Sequence, residues 1–388
     1  MKQNFSETIR YIGVDDTDID LFESQYIVPN GVSYNSYLIM DEKIAIMDSV
    51  DSRKYDEWAT NLEAALQGRT PDYLIVQHME PDHAGSVASI AARYPQMKIV
   101  TSARAIVMLP QFFHDTDFSE RTIAVKEGDT LSLGSHTLQF FTAPMVHWPE
   151  VIVTYEQSEK VLFSADGFGK FGALCHEEEW ACEARRYYFN ICGKYGQPVQ
   201  ALLKKAATLD IAHICPLHGP VLSDNLGYYI GLYDTWSKYE PEAKGVLIAH
   251  ASIHGGTAAV AHKLAEMLRA RGVERVSVTD LCRDDMAEAI EDAFKYDRMV
   301  VAAASYDGDV FPPMHNFLHH LLLKNYQKRR VGIIENGSWS PCSGRIMRGM
   351  LEQMKSIDIV SPMVSIHSRM NPENQEALEA LADAMMAE

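Results

Sequence analysis

The chain has 388 residues, and at the usual size of about 100 to 200 residues per domain this length excludes a single small binding module. Hydrophobic residues make up 47% of the chain and charged residues 23%, so it can bury a substantial core and extensive disorder is not expected. The net charge of −18, from 35 basic and 53 acidic residues, argues against nucleic acid and anionic membrane surfaces as partners.

The sequence contains no signal for membrane insertion or export. No stretch approaches the roughly 18 to 20 apolar residues of a membrane-spanning helix, and the N-terminal sequence MKQNFSETIR lacks the apolar core of a signal peptide. The six cysteines form no C-x-x-C pair, which argues against a zinc ribbon, a rubredoxin-type iron site and a disulfide framework. We therefore expect a soluble cytoplasmic protein with reduced thiols.

The first part of the chain mixes strand-like and helical patterns. Strands are predicted at 33–40, 43–48, 73–76, 98–100, 122–125, 130–133, 137–141, 151–155 and 160–163. Helical patterns lie at 54–67, 84–93, 177–192 and 197–208. Many strands with interspersed helices predict a layered α/β architecture of the αββα type.

The second part of the chain is more regular. Near-continuous apolar runs at 245–250, 275–279, 298–304 and 330–334 are each followed by an amphipathic helical stretch, which predicts a doubly wound parallel sheet. A polar, proline-containing stretch at 239–243 precedes it, and the net charge changes from −15 over residues 1–243 to −3 over residues 244–388. We therefore predict domains at 1–243 and 244–388.

A dense set of metal-binding residue types follows the strand predicted at 73–76. His78, Glu80, Asp82 and His83 place two imidazoles and two carboxylates within six residues, in a loop that leads into a helix. These are nitrogen and oxygen donors for divalent metals. The alternative interpretation is a polar loop that is merely rich in histidine and acid.

Three further donors each follow a predicted strand or strand region, namely His147, Asp166 and His218. Seven donors exceed the needs of one tetrahedral ion and suit two metals bridged by a carboxylate, for which Asp166 is the natural candidate. Four other histidines lie outside these motifs, and we interpret them as surface or core hydrogen-bonding residues: His114, His136, His176 and His213.

Three loops at predicted strand ends of the second domain could hold a ligand. The first lies at a helix N-terminus, where free backbone N–H groups favour a phosphate, and it contains Ser252, His254, Gly255, Gly256 and Thr257. The second comprises Ser305, Tyr306, Asp307, Gly308 and Asp309, and the third comprises Asn336, Gly337, Ser338 and Trp339. Ligands bind at this edge of a doubly wound sheet, and Tyr306 and Trp339 offer aromatic faces on which a planar ring could stack.

The spacing of His78, Glu80, Asp82 and His83 resembles the metallo-β-lactamase superfamily, with Glu80 where its zinc hydrolases usually have a second histidine. The loop that contains Ser252 and Thr257 looks like the phosphate loop of flavodoxins. Together with the Glu80 exchange and the segments at 146–149, 164–166 and 217–220, it makes the chain resemble the flavodiiron proteins over essentially its whole length. Harder oxygen ligands also suit iron better than zinc.

The resemblance implies two irons, one held by His78, Glu80 and His147 and the other by Asp82, His83 and His218, with Asp166 between them. It also implies FMN in the second domain and reduction of dioxygen to water, of nitric oxide to nitrous oxide, or of both. It further implies an external electron donor such as a rubredoxin system, and a head-to-tail homodimer or a dimer of dimers. Trp148 is then a candidate lining residue. One departure is Pro341-Cys342-Ser343-Gly344, where the family usually continues with glycines.

Two other functions remain open at this point. A metal-dependent hydrolase with an accessory flavodoxin-like domain would keep all the donors except Glu80 in use, with a metal-bound hydroxide as its nucleophile. A non-catalytic electron carrier or oxygen sensor would use the flavin alone and leave the metal site vestigial. Glu80 and the flavin loops argue against the hydrolase, and the complete donor set argues against the carrier.

Overall fold

A computed structural model describes residues 5–387, and contacts within the chain divide it into two compact units. The first unit comprises residues up to Tyr188 and the segment Gln197–Tyr233, and the second comprises Phe189–Gly196 and the residues from Asp234 onward. The domain limits predicted at 243 and 244 stay a prediction; by contacts, residues 234–243 group with the second unit.

The secondary structure alternates short strands with helices of up to 15 residues. As far as Ser237 the elements are β1 (Ile9–Tyr11), β2 (Val14–Asp16), β3 (Leu21–Phe22), β4 (Tyr26–Ile27), β5 (Val32–Tyr34), β6 (Tyr37–Ile39), β7 (Ala45–Met47), α1 (Tyr55–Leu66), β8 (Tyr73–Ile75), α2 (Pro81–Ala84), α3 (Val87–Arg93), β9 (Lys98–Ser102), α4 (Ala103–Phe112), β10 (Thr122–Val125), β11 (Thr130–Ser132), β12 (Thr137–Thr142), β13 (Ile152–Glu156), β14 (Val161–Phe163), α5 (Trp180–Ile191), α6 (Gly196–Ala206), β15 (His213–Cys215) and α7 (Leu226–Ser237). The remaining elements are β16 (Ala243–Ala251), α8 (Gly256–Ala270), β17 (Val276–Asp280), α9 (Met286–Lys295), β18 (Tyr296–Tyr306), β19 (Asp309–Val310), α10 (Pro312–Leu323), β20 (Arg329–Asn336), α11 (Ser343–Leu351), β21 (Ile357–Ile359), β22 (Val364–Ile366) and α12 (Pro372–Met386).

The first unit is built on two sheets that face each other. One has the order β1-β6-β7-β8-β9-β10 and the other the order β11-β12-β13-β14-β15. Apolar side chains from both sheets form one buried cluster, in which Ile75 and Val100 of the first sheet join Phe140 and Phe163 of the second. This sandwich confirms the predicted αββα architecture, and the strand ends that carry the candidate metal donors belong to both sheets.

Two local predictions for the first unit are wrong or incomplete. The single strand predicted at 33–40 is two strands, because the backbone N–H of Asn35 donates to the carbonyl of Leu217 (2.8 Å) and the hydroxyl of Ser36 donates to the carbonyl of Asp48 (2.8 Å). The sequence pattern also does not predict α4. This helix buries Ala105 and Leu109 but leaves Val107 67% exposed, so its apolar residues do not follow one clean stripe.

The second unit confirms the predicted doubly wound parallel sheet. Its central strand order is β17-β16-β18-β20-β21, with β22 also pairing with β20, and these pairs are all parallel. Helices α8 and α12 pack on one face of the sheet, where they share a buried core with the strands. Helices α9, α10 and α11 contact strands β16, β18 and β20, and α10 also contacts α9 and α11. In this strand order the connections reverse next to β16, so the carboxyl ends of β16, β18 and β20 open a crevice. None of the helices in the described part of the chain is both long and apolar enough to span a membrane.

Candidate metal centre and flavin cavity

Four of the predicted donors form a compact group at strand ends of the first unit. His78 follows β8 of one sheet, whereas His147 and Asp166 follow β12 and β14 of the other. Glu80 Oε2 lies 3.2 Å from His78 Nε2 and 3.0 Å from His147 Nε2. Asp166 Oδ2 lies 3.3 Å from the Nε2 atoms of both histidines. One nitrogen or oxygen atom from each of the four residues therefore points to a common position.

The other three donors form a second group beside the first. Asp82 Oδ2 lies 3.2 Å from His83 Nε2 and also 3.2 Å from His218 Nε2. The second carboxylate oxygen of Asp166, Oδ1, lies 3.1 Å from His83 Nε2 and 3.8 Å from His218 Nε2. The structure thus brings all seven predicted residues together in two groups, and Asp166 presents one oxygen to each.

The spacing of these atoms fits two divalent cations. Nitrogen and oxygen ligands at about 2.1 Å from a metal lie about 3.0 to 3.4 Å from each other, depending on the coordination geometry. Most of the distances above fall in this range. In addition, both oxygens of Asp82, Oδ2 of Asp166 and Nε2 of His218 are buried and have no hydrogen-bond partner among residues 5–387. Buried polar atoms are normally satisfied, so these atoms point to a bound cation.

The charges in the two groups depend on one another. Burial disfavours the charged imidazole of His147, but the adjacent carboxylates of Asp166 and Glu80 outweigh it and raise the pKa of His147 to about 9. Burial also opposes ionisation of Asp166, yet the neighbouring His78 and His83 hold the pKa of that carboxyl well below its usual range. Without a metal, protons on the imidazoles balance the carboxylates, and a divalent ion would replace those protons.

Several residues near this centre were not identified from the sequence. Glu150 accepts hydrogen bonds from His78 Nδ1 (2.8 Å) and from the backbone N–H of Met79 (2.9 Å). The carbonyl of Ser33 accepts one from His218 Nδ1 (2.7 Å). An acid directly before the strand predicted at 151–155 is the one signal that could have identified Glu150, whereas nothing in the sequence marks the carbonyl of Ser33.

The hairpin formed by β3 and β4 lies against the same centre. The ring of Phe22 packs edge-on against His218, with centroids 5.4 Å apart. At the tip of the hairpin, burial and the nearby carboxylate of Glu80 both disfavour the charge of Glu23 and raise its pKa to about 7. On another side, the predicted lining residue Trp148 packs edge-on against His78 at 5.1 Å. These contacts enclose the donors with aromatic surface.

The four histidines interpreted as ordinary residues lie outside both donor groups in the described chain. Two of them have clear local partners. His136 forms an ion pair with Glu156 (3.0 Å), and His213 stacks on Phe5 with ring centroids 4.5 Å apart. Their roles are therefore local packing and hydrogen bonding.

A cavity of about 830 Å³ lies at the carboxyl ends of the parallel strands of the second unit. The three predicted loops line it through Ser252, His254, Gly256, Thr257, Ser305, Tyr306, Asp307, Gly308, Asn336, Gly337, Ser338 and Trp339. Gly255 and Asp309 were also predicted but do not belong to the lining. Five residues that were not predicted do belong to it, namely Ile253, Ala304, Ser340, Cys342 and Ser368.

Ser368 belongs to a fourth loop, after β22, which the sequence did not indicate. It holds the other loops in place, because its N–H donates to Asn336 Oδ1 (2.9 Å) and its carbonyl accepts from Asn336 Nδ2 (3.2 Å). Asn336 in turn donates to the hydroxyl of Thr257 (3.2 Å) at the start of α8. The floor of the cavity is thus a hydrogen-bonded junction of three loops.

The chemistry of this cavity fits a flavin mononucleotide. The N-terminus of α8 can bind a phosphate, and Gly256 there has no room for a side chain, since a Cβ would lie 2.2 Å from the carbonyl of Ser368. At the mouth, Trp339 is 92% exposed and Tyr306 46% exposed, so both rings are free to contact a ligand. Trp339 therefore does not pack into its own domain.

Comparison with known proteins agrees with this geometry. Residues 32–219 match the family model described as ODP family beta lactamase. The chain is 27% identical over 353 residues to the anaerobic nitric oxide reductase flavorubredoxin of Pectobacterium atrosepticum, covering 88% of this chain and 69% of that protein. It is 28% identical to an uncharacterized protein of Methanocaldococcus jannaschii, covering 81% of this chain and 80% of that protein. The solved structure of rubredoxin oxygen:oxidoreductase from Desulfovibrio gigas superposes with a TM-score of 0.92 at 25% identity, over 98% of this chain and 97% of that chain.

The fold and the two candidate sites define a class of protein in which a lactamase-like sandwich with a metal centre is joined to a flavodoxin-like sheet. Within that class, the chain is similar to the flavodiiron proteins in sequence and in structure, as the sequence motifs predicted. Its relatives with named activities are oxidoreductases.

Proposed function

We propose that this protein is a flavodiiron terminal reductase, which reduces dioxygen to water, nitric oxide to nitrous oxide, or both. The observation that carries the proposal is the pair of donor groups joined by Asp166, with Glu80 in place of an imidazole. The names of a flavorubredoxin and of a rubredoxin oxygen:oxidoreductase among its relatives support both substrates.

The metal centre is proposed to hold two irons. His78, Glu80 and His147 would hold one, Asp82, His83 and His218 the other, and Asp166 would bridge them. When bound, the flavin supplies electrons and the iron pair supplies the site at which the gas is reduced. The chain's own residues keep the donors ionised and oriented, and Phe22 and Trp148 limit the access of water from two sides.

The flavin cavity is proposed to hold FMN. The start of α8 and the loop at Ser252 would bind the phosphate, and Trp339 and Tyr306 would contact the ring. Among the described residues that line the cavity there is no lysine or arginine, so neutral donors, the helix N-terminus and His254 would hold the phosphate.

Electrons are proposed to come from a separate protein of the rubredoxin type, in line with the name of the D. gigas relative. We further propose a cytoplasmic location and a head-to-tail homodimer, or a dimer of dimers, in which one subunit's flavin serves its partner's irons. Light scattering measures the molecular mass of the full chain in solution and so tests the dimer. A monomer that retains full turnover would contradict this part of the proposal.

Anaerobic stopped-flow spectroscopy tests the function directly. The full chain, with iron and FMN quantified, is chemically reduced and mixed separately with dioxygen and with nitric oxide while the flavin absorbance is followed. Fast reoxidation with about two irons per chain supports the reductase, and the ratio of the two rates ranks the substrates. Slow reoxidation by both gases, with zinc in the centre and turnover of a thioester or phosphodiester, would instead favour the hydrolase.

A further inference from the structure

His78 and His218, which belong to different donor groups, differ in the group that accepts the hydrogen bond from Nδ1, the ring nitrogen that faces away from the centre. Nδ1 of His78 lies 2.8 Å from the carboxylate oxygen Oε1 of Glu150, and Nδ1 of His218 lies 2.7 Å from the backbone carbonyl of Ser33. Both acceptors require a proton on Nδ1, so in each ring Nε2 is left free to face the centre. The partner behind His78 is a carboxylate, whereas the partner behind His218 is a neutral carbonyl.

Glu150 itself is not one of the seven donors. Its side chain is fully buried, and Oε1 accepts hydrogen bonds from His78 and from the backbone N–H of Met79. The other oxygen, Oε2, has no hydrogen-bond partner among the described residues. A buried carboxylate with half of its acceptor capacity unused is costly unless positive charge lies nearby. That charge can come from the His78 ring itself when it is protonated, or from a metal ion at the position on the far side of the ring.

We propose that Glu150 is a positioning residue that makes the two metal positions unequal. It fixes the tautomer and the orientation of His78, and its negative charge strengthens Nε2 of His78 as a ligand. The position formed by His78, Glu80 and His147 therefore binds a divalent ion more tightly than the position formed by Asp82, His83 and His218. This inference rests on the proposed metal centre, but it does not depend on which gas, if any, is reduced.

Zinc titration of the full chain after chelation of its metals tests the inequality. The wild type is expected to bind two zinc ions with distinct affinities in a competition assay with a chromophoric chelator. Glu150→Gln keeps the shape of the side chain but removes its charge, and is expected to weaken the tighter ion roughly 10- to 100-fold while leaving the weaker one unchanged.

Asp48→Asn is the matched control, because Asp48 is also a buried acid that holds this loop. Its carboxylate accepts from the backbone N–H (2.7 Å) and the side-chain amide (2.8 Å) of Gln77, the residue before His78, but it forms no hydrogen bond with a predicted metal ligand. We expect Asp48→Asn to leave both zinc affinities within a few-fold. An equal loss in the two variants would overturn the proposal, since it would mean that Glu150 only stabilises the loop.

A spectroscopic measurement separates positioning from stability. With ¹⁵N-labelled histidine and zinc in the centre, the Nδ1 proton of His78 is expected far downfield in the wild type and less so in Glu150→Gln. Glu150→Asp retains the charge and is expected to recover part of the affinity; should Glu150→Gln not fold, the comparison of Glu150→Asp with the wild type tests the same bond. Unchanged affinities and an unchanged proton shift would refute the role of Glu150. Unequal zinc sites in a protein that reacts with neither gas would refute the reductase alone.

Discussion

The metal centre of the first unit and the flavin cavity of the second are built on opposite principles. The metal centre consists of charged side chains that are almost completely buried, such as His78, His83 and Asp166. The flavin cavity consists of short loops with mostly small or neutral residues, and of its two aromatic side chains Trp339 is almost fully exposed and Tyr306 about half exposed. The first site is therefore defined by electrostatics between side chains, and the second by the path of the backbone.

This difference predicts how each site can be disrupted. A centre held by mutual charge should fail when one shared charge is removed, even if the fold is intact. A cavity shaped by backbone should tolerate changes of charge but fail when a single extra methyl group blocks the backbone. The following experiments test that contrast, from the largest expected effect to the smallest.

Removing the shared charge of the metal centre should have the largest effect. Asp166→Asn takes one anionic ligand from both donor groups, so we expect metal affinity to fall by more than about 100-fold at each position. Metal analysis after gel filtration measures the loss. FMN content in the same sample is the internal control and should not change, and a variant that kept about two irons per chain would contradict the assignment of Asp166 as the bridge.

Introducing a side chain where the flavin cavity has only backbone should weaken FMN binding and leave the metal content unchanged. In Gly256→Ala the new Cβ would lie 2.2 Å from the carbonyl of Ser368, far inside contact distance, so the junction between the start of α8 and the Ser368 loop must open. We expect FMN affinity to fall roughly 10- to 100-fold while the metal content stays unchanged. Gly349→Ala is the control, because a Cβ there meets no atom within 4 Å. Equal FMN loss in both variants would argue against the contact with Ser368.

Removing the exposed ring at the mouth of the cavity should have a moderate effect. Trp339→Ala is expected to weaken FMN binding about 3- to 10-fold, since an aromatic pair contributes about 0.5 to 1.5 kcal/mol beyond buried area. Because the side chain is 92% exposed without the flavin, the melting temperature of the flavin-free chain should not change. Fluorescence titration and thermal melting measure the two quantities, and a large fall in melting temperature would mean that Trp339 has a structural role instead.

The ion pair between His136 and Glu156 lies away from both sites. It tests whether a buried pair of charges in the first unit can stabilise the fold without a metal ion. A hydrogen bond to Glu156 raises the pKa of His136, although burial alone would lower it. For Glu156 burial alone would raise the pKa, but the hydrogen bond from His136 holds it below its usual range. The stability that the charged His136 contributes to the fold is fully present below the pKa of histidine in the unfolded chain, and it is lost as the pH rises through the pKa in the folded chain. The glutamate contribution is present above its unfolded pKa and is lost as the pH falls through its folded pKa.

The pair should therefore stabilise the fold most between about pH 4.5 and 6.5. We expect His136→Gln to lose about 1 kcal/mol of stability at pH 6 and less at pH 9, with no change in metal or flavin content. Unfolding of the metal-free and flavin-free chain at the two pH values measures the difference. A loss that is the same at both would show that the neutral hydrogen bonds of His136, and not its charge, hold this part of the sheet.

Much of the fold followed from local patterns in the sequence. The apolar runs that form β16, β18 and β20 and the amphipathic stretches between them predicted the doubly wound sheet, because strands buried on both faces and helices with one apolar face have distinct periodicities. The metal donors were also visible as residue types at predicted strand ends. The split of the strand predicted at 33–40 could not be predicted, because it depends on hydrogen bonds from Asn35 to Leu217 and from Ser36 to Asp48, which form only when the chain is folded.

The sequence by itself determined the inventory of this protein: two kinds of sheet, seven donors, and a glycine-containing loop before a helix. Only the tertiary structure decided how that inventory is grouped. It placed one oxygen of Asp166 in each donor group, Glu150 behind His78, and Ser368 beneath the phosphate loop. Periodicity and residue type are local properties, whereas the convergence of side chains depends on which strands become neighbours, and that is settled by burial of the whole core.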